Sequence, residues 1–177
     1  MILSIIGGAI ALIIIGFLIV AAMQPKEFVV TRTATMAAPA SAIFEQFDTL
    51  ENWNAWSPWK DLDPNMEMAY SGPASGEGAS FSWRGNNKAG EGTLTILASR
   101  PSEEVDLNLQ FVKPFKATNG AKITFKPQGA GTLVTWKMSG ERNFMFKAMG
   151  LLMDCDKMIG KDFEKGLSRI KSIVEKK

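Results

Sequence analysis

The sequence predicts an α+β fold in which a curved antiparallel sheet wraps a long C-terminal helix, preceded by one transmembrane helix. Three observations support this prediction. An uncharged apolar run fills residues 2–23, apolar and polar residues alternate in short segments from residue 27 to 140, and apolar residues recur at helical spacing over residues 151–174. After the apolar run about 150 residues remain, the usual size of one domain with one core.

The apolar run is long enough to cross a bilayer. At roughly 1.5 Å per residue, a helix of twenty-odd residues matches a hydrocarbon core of about 30 Å. A cleaved signal peptide is the alternative, with a small-residue cleavage site at 20–22, but signal peptides have a basic start and a shorter apolar stretch. We therefore predict an anchor at residues 1–25, contacting the membrane through residues 2–23, and a soluble domain at residues 26–177.

The anchor predicts a single-pass membrane protein and leaves the side of the soluble domain open. Lys26 and Arg32 follow the run and favour a cytoplasmic domain only slightly, because Glu27 lies between them. Small residues spaced by four, at 4 and 8 and at 7 and 11, allow close helix packing, which suggests weak self-association through the anchor.

Composition excludes several classes of function. The chain has no His, which removes Ser-His and Cys-His nucleophile pairs and His-ligated zinc. Lys and Arg number 20 against 18 Asp and Glu, so no basic face for nucleic acid is expected. One cysteine, Cys155, excludes an intramolecular disulfide framework and is interpreted as packing. No metal site and no cofactor are predicted.

The elements before the sheet are short. Residues 27–36 alternate and are rich in β-branched side chains, which predicts a first strand. Pro39 then suits the first turn of a short helix, and a second helical piece is predicted at residues 50–53. Residues 53–59, which contain three tryptophans, are predicted to be irregular.

The rest of the chain predicts a meander and a final helix. The clearest half-buried strand is residues 104–111, where apolar and polar residues alternate without exception. Residues 151–174 predict a helix whose apolar face lies on the sheet. Its opposite face carries a basic stripe, interpreted as solvated, with contact to anionic lipid headgroups as the alternative. The stripe comprises Lys157, Lys161, Lys165 and Arg169.

Several motifs, taken in order and spacing, resemble one superfamily. They are Ala38-Pro39 after the first strand, the Trp-rich segment 52–59, the glycine-containing segments 71–79 and 90–92, and Lys113-Pro114-Phe115. Together they resemble the START-like, helix-grip superfamily, and within it the polyketide cyclase and SRPBCC group of bacterial proteins. The resemblance covers residues 28–174.

The resemblance implies about seven antiparallel strands gripping the C-terminal helix around a cavity. Members of the superfamily bind apolar ligands such as lipids, sterols, polyketides or quinones, and some carry an added anchor, which implies a bacterial inner-membrane location here. Cyclase members often use His in the cavity, and this chain has none. The fold by itself does not determine the reaction.

Aromatic and aliphatic side chains are the candidate ligand-binding residues. Three indoles within residues 53–59 form either the rim of a ligand entrance or part of the core. The same alternatives, with core membership favoured for each residue, apply to the aromatic and Met residues elsewhere, including Trp136 and Met145. The predicted ligand-binding residues are Trp53, Trp56, Trp59, Phe81, Trp83, Leu107, Leu109, Phe111, Phe115, Met138, Phe144, Met149, Ile159 and Phe163.

Two carboxylates, Glu91 and Asp162, are the only candidates for acid or base catalysis. Either would need to point into the core, where desolvation raises the pKa of a carboxylic acid. The favoured interpretation of both is a solvated or ion-paired surface group, so no catalytic residue is predicted.

The sequence thus predicts a membrane-anchored domain that binds or transfers a hydrophobic small molecule without chemistry. The ligand would be lipid-like, a quinone or a polyketide. One alternative is a cyclase or hydrolase that acts on such a ligand. A second is a protein-docking module with a closed core.

Overall fold

A seven-stranded antiparallel sheet and a C-terminal helix form most of the computed structural model, which describes residues 2–152 and 154–176. The helices are α1 Ile2–Met23, α2 Ala40–Asp48, α3 Trp53–Trp56, α4 Phe144–Gly150 and α5 Cys155–Val174, with 3₁₀ turns at Leu50–Asn52 and Pro58–Leu62. The strands are β1 Glu27–Met36, β2 Glu67–Ser71, β3 Ser80–Arg84, β4 Glu91–Arg100, β5 Glu104–Lys113, β6 Ala117–Gln128 and β7 Gly131–Glu141.

The sheet is a meander closed by its first strand. Its order is β1-β7-β6-β5-β4-β3-β2, with all neighbours antiparallel, so β1 and β2 are the edges. The ends of β5 and β7 and the starts of β1 and β6 all lie at one end of the sheet. We call this the α1 end, because β1 begins here and three residues connect it to α1. The predicted α+β, helix-grip fold is confirmed.

Buried and exposed side chains alternate along the strands, and the buried ones form the face of the sheet that meets α5. β7 buries its even-numbered positions from Thr132 to Met138, and β6 buries its odd-numbered positions from Asn119 to Phe125. The predicted first strand is confirmed, with the predicted bounds at both ends. In β5, burial is complete at Val105 and Leu107 and only partial at Leu109 and Phe111, because α5 does not reach over the α1 end of the sheet.

The tryptophan segment is helical, so the predicted irregular conformation is wrong. α3 covers Trp53–Trp56, and a 3₁₀ turn begins at Pro58, whose fixed φ suits a first helical position. Burial of two indoles against the end of α2 stabilises this short helix more than local propensity does.

The C-terminal helix begins at Cys155, four residues later than predicted. The Asp154 side chain accepts a hydrogen bond from the Lys157 backbone N–H at 3.0 Å and caps the helix there. Leu152, predicted on the apolar face of this helix, lies before it and is 77% exposed. A further short helix, α4, precedes it and was not predicted.

α5 lies along β1 with its apolar face on the sheet. Phe163, Leu167 and Ile170 are buried there. Arg32, on the core-facing side of β1, crosses α5 at Gly160 and pairs with Asp156 at 2.9 Å and Glu164 at 2.8 Å. A Cβ at position 160 would overlap the Arg32 guanidinium, so the glycine permits this crossing.

Candidate functional site

The concave side of the sheet beneath α5 is filled by aromatic rings. Trp136 of β7 stacks face to face on Phe163 of α5, with ring centroids 4.2 Å apart. Phe47 of α2 packs edge-on against Trp136 at 5.6 Å and lies 5.2 Å from Trp56. Trp53 and Trp56 are 3% and 0% exposed, so these two indoles belong to the core. We call this region the closed half of the concave face.

Backbone carbonyls hold the indoles of the closed half in place. The Trp53 indole N–H donates to the Phe47 carbonyl and that of Trp56 to the Gln46 carbonyl, both at 3.1 Å. These bonds satisfy the polar edge of a ring buried among apolar neighbours. The Trp136 indole N–H is buried and makes no hydrogen bond within the described part of the chain.

The predicted ligand-binding residues divide into two groups by position. One group is buried in the core: Trp53, Trp56, Phe81, Leu107, Met138 and Phe163. The other is partly or largely exposed: Trp59, Trp83, Leu109, Phe111, Phe115, Phe144, Met149 and Ile159. Core membership, the interpretation favoured for single aromatic and Met residues, is wrong for three that lie at the surface, Phe115, Phe144 and Met145, since they are 39–51% exposed.

An open groove of about 930 Å³ lies at the α1 end of the sheet. The end of β5 contributes Phe111 and Val112 to its lining, and α4 contributes Phe146. The start of β6, the end of β7 and the first residue of β1 complete it. Its volume falls in the range of small-molecule sites, about 300–1,000 Å³.

The groove combines apolar and polar side chains. Neutral polar side chains come from Gln110, Thr118, Ser139 and Asn143, and charged side chains come from Glu27, Lys116 and Glu141. Among the described residues that line this groove, Phe111 is the one that was predicted to bind a ligand. Gln110, Thr118 and Ser139 occupy outward-facing positions of β5, β6 and β7, so alternation alone marks them as solvent positions, and Asn143 is the N-cap of α4. No pattern in the sequence indicates that these residues meet in one groove.

A buried amide adjoins the groove. Asn119 of β6 is 8% exposed and pairs in register with Gly140 of β7, which lines the groove. Its Oδ1 atom occupies the space that a Cβ at Gly140 would take and accepts no hydrogen bond within the described residues. Such an acceptor can receive a hydrogen bond from a ligand hydroxyl or amide N–H.

The two carboxylates considered for catalysis lie in different environments. Glu91 pairs with Lys113 at 2.9 Å and with Arg84 at 3.6 Å. Hydrogen bonding to Lys113 holds the pKa of Glu91 below its usual value of 4.5. Glu91 is therefore an ionised surface group, which is the interpretation favoured from the sequence.

Asp162 is a half-buried carboxylate on α5. Burial raises the pKa of its carboxyl above the usual 3.8, while the Lys165 ammonium and the Trp59 indole N–H act in the opposite direction. It does not line the groove. The two carboxylates thus do not form a catalytic pair at the groove.

The basic stripe of α5 is partly neutralised by the chain itself. Lys165 and Arg169 both bond the Asp61 carboxylate at 2.7 Å. Lys157 and Lys161 are exposed. Within residues 2–152 and 154–176, no three His, Cys, Asp or Glu side chains lie close enough to hold a metal ion.

α1 is an apolar helix that packs against the rest of the domain through its last turns. Its residues are exposed from position 6 onward except Phe17, which is partly covered, and Ala21, which is fully buried. Residues Ile6–Met23 meet the length and composition of a membrane span, a property that a signal sequence shares. α4 packs against α1, and the Lys147 ammonium donates to the Ala22 carbonyl at 3.4 Å.

Comparison with known families gives one match over residues 27–175. The matching family is described as polyketide cyclase / dehydrase and lipid transport. The match leaves out α1 and includes the whole sheet and α5. No curated protein matches the sequence.

Solved structures share the fold at low sequence identity. Protein CV1439 from Chromobacterium violaceum is 12% identical with a TM-score of 0.61, covering 87% of this chain and 100% of that one. The major latex-like protein 151 from Panax ginseng is 11% identical with a TM-score of 0.59, covering 86% and 100%. DynU16, from the dynemicin biosynthetic locus, is 12% identical with a TM-score of 0.58, covering 83% and 47%. At these identities the likeness establishes the fold alone.

Proposed function

Because the chain belongs to the polyketide cyclase / dehydrase and lipid transport family, whose fold binds hydrophobic ligands, we propose that it binds and transfers a hydrophobic small molecule beside a membrane without converting it. The ligand would be lipid-like, a quinone or a polyketide. Residues 1–25 would form the anchor and residues 26–177 the binding domain.

The observation that carries the proposal is the position of the open groove. It lies at the α1 end of the sheet, next to the strand that begins three residues after the candidate membrane helix. Apolar walls from Phe111, Val112 and Phe146 suit an alkyl chain or ring, and the polar side chains nearby suit its headgroup. The filled closed half leaves this groove as the site best placed for a ligand.

The anchor follows from length and exposure. A helix of 22 residues is about 33 Å long, close to the thickness of a hydrocarbon core. An apolar helix whose side chains are exposed at residues 6–23, apart from positions 17 and 21, requires an apolar surrounding such as lipid.

The proposed lack of chemistry follows from the side chains available. The sequence has no His, and Glu91 is held ionised by Lys113. Asp162, whose pKa is raised, lies outside the groove. The carboxylates that line the groove, Glu27 and Glu141, are exposed to solvent and have no His beside them, so the groove offers no desolvated acid–base pair against its apolar wall.

A second candidate function is a protein-docking module. The stacking of Trp136 on Phe163 fills the region that the family resemblance assigns to a ligand cavity. A filled core favours a domain that acts through its surface. The experiment below separates the two functions.

The test uses the full chain in nanodiscs that contain a lipid with a photoactivatable diazirine on its acyl chain. After illumination, mass spectrometry should locate cross-links in residues 110–112, which line the groove, in addition to those in α1. Phe111→Ala should lower the labelling of this segment about tenfold, since losing a buried aromatic contact costs about 1–3 kcal/mol. Leu97→Ala, at an exposed site outside the groove, is the matched control and should leave labelling unchanged.

Two outcomes would contradict the proposal. Cross-links confined to α1 would favour the docking module. Recovery of a chemically altered ligand, with the alteration lost in Glu91→Gln or Asp162→Asn, would establish an enzyme. Carbonate extraction of membranes from expressing cells tests the anchor separately, because a spanning helix stays in the pellet.

A further inference from the structure

An exposed apolar patch surrounds α4, and its side chains are not part of the buried core. It consists of Phe115, Phe144, Met145 and Leu152, which are 39%, 51%, 51% and 77% exposed. Phe115 packs edge-on against Phe146 of α4, with centroids 5.9 Å apart, which joins the β5–β6 turn to the helix. We call this surface the α4 patch. Large apolar side chains grouped at a surface usually mark an interaction site.

The position of α4 relative to α1 identifies what covers the patch. α4 packs against the last turns of α1, and Ala21 is fully buried there. Residues Ile6–Met23 span about 27 Å as a helix, so Met23 would lie near the boundary between hydrocarbon and headgroups. α4 is therefore held at the depth of that boundary.

A hydrogen bond between α4 and the end of α1 stabilises the packing of the two helices. The last carbonyls of a helix lack partners within the helix, and α1 has no basic residue in its last turn. Lys147 of α4 supplies a cation to the Ala22 carbonyl. A long lysine side chain that carries its charge to the end of a membrane helix is the usual arrangement at an interface.

Charges around α4 also fit a headgroup layer. Lys26, Lys116, Arg142 and Lys147 surround the α1 end of the sheet, and the carboxylates of the same region are Glu27 and Glu141. The Arg142 backbone N–H donates to the Lys26 carbonyl at 2.6 Å, which ties the start of α4 to the chain leaving α1. Apolar side chains with flanking cations are typical of surfaces that rest in the interfacial region of a bilayer.

We infer that the α4 patch is a membrane-contact surface that inserts into the interfacial region of the leaflet from which α1 emerges. This inference rests on the proposed role of α1 as an anchor. It adds a second membrane contact, which fixes the orientation of the domain. The groove, which shares Phe146 and Asn143 with α4, then opens next to the lipid surface.

The experiment uses spin labels on the full chain in phosphatidylcholine nanodiscs. Cys155→Ser removes the native thiol, and single cysteines are placed at Met145 and Leu97, which are 51% and 55% exposed. Leu97 lies on β4, away from the α1 end. Power-saturation EPR measures collision of each label with oxygen, which concentrates in lipid, and with a water-soluble nickel chelate.

A label at position 145 should collide readily with oxygen and weakly with nickel, and a label at position 97 should show the reverse. Equal access of nickel to both labels, in protein that remains in the nanodisc, would overturn the inference while leaving the anchor intact. Loss of the chain from the nanodisc would instead overturn the anchor and, with it, the inference.

Two controls keep the result decisive. Near-ultraviolet circular dichroism of each variant should match that of the parent, and a Phe144→Cys variant replaces Met145→Cys if the latter does not. Dipolar broadening of the label at 145 that disappears on dilution with unlabelled protein would show a second copy on the patch and overturn contact with lipid.

Discussion

Two regions of the domain, the core beneath α5 and the α1 end of the sheet, are packed differently. Beneath α5, the closed half packs Trp136, Phe163 and Phe47 at ring distances of 4.2–5.6 Å. At the α1 end, Leu109 and Phe111 are only partly buried, and a groove lies there that is lined mainly by outward-facing residues of the strand ends. The difference shows that this domain separates the packing that stabilises the fold from the surface available to a ligand.

This separation departs from a simple hollow grip. In the family resemblance the cavity lies between sheet and helix, and here aromatic rings fill that space. Binding would therefore take place toward the end of the sheet, where side chains of the strand ends and of α4 meet. Substitutions in the two regions should consequently affect different measurements.

The largest expected effect is loss of stability in the closed half. Phe163→Ala removes a fully buried ring stacked on Trp136 and should lower the free energy of unfolding by about 3–5 kcal/mol. Phe144→Ala is the matched control, because the same ring is half exposed there, and it should cost less than about 1 kcal/mol. Urea unfolding in detergent, followed by tryptophan fluorescence, measures both. Equal losses would mean that the α1 end is part of the stability core.

A smaller effect, of opposite sign, is expected beside the groove. Asn119 Oδ1 is buried without a donor, and leaving such a group unsatisfied costs about 1–3 kcal/mol. Asn119→Leu, which keeps the number and branching of the side-chain heavy atoms, should raise the free energy of unfolding by about 1 kcal/mol and weaken lipid cross-linking to residues 110–112. Asn119→Asp tests the same position and should lower stability. A stability loss in the leucine variant would show that the amide has a structural role.

The smallest effects concern the two carboxylates, and their signs differ. The pKa of Glu91 is lowered by Lys113, so its stabilising contribution is present above its usual value of 4.5 and is lost as the pH falls through its lower folded pKa. Glu91→Gln should therefore lower stability at pH 7 and have no effect in strong acid.

Asp162 should behave in the opposite way. Burial raises the pKa of its carboxyl, so ionisation costs stability as the pH rises from the usual 3.8 through the higher folded pKa. Asp162→Asn should slightly raise stability at pH 7 and be neutral at pH values below 3.8. Urea midpoints across this pH range measure both variants. The same sign for both would contradict the assigned environments.

Strong periodicity made much of the fold predictable. β1 was predicted with its observed ends, because alternating β-branched residues over residues 27–36 agree with the burial that the sheet imposes. β2 had no comparable signal, since four of its five residues are exposed on an edge strand and nothing in the sequence requires them to alternate. Edge position, rather than propensity, determines that strand.

Tertiary contacts decided what the sequence left open. Residues 151–152 continue the apolar spacing of α5, yet the Asp154 cap ends that pattern, and an N-cap signal at this aspartate was present in the sequence. α4 has apolar residues on several sides and packs on α1, so no amphipathic pattern marks it. The groove joins outward-facing polar positions of three strands, which only the register brings together.

The short connection between α1 and β1 restricts how far the domain can travel. Residues 24–26 extend at most about 10 Å, and α4 shortens that reach by packing on α1. With α1 in a bilayer, the domain would diffuse laterally as one body with its anchor and would not sample the aqueous volume. The local concentration of membrane lipids and membrane proteins around the domain would be high. Even a ligand that binds weakly would therefore occupy the groove. Exchange with a soluble acceptor would require that acceptor to come to the membrane surface.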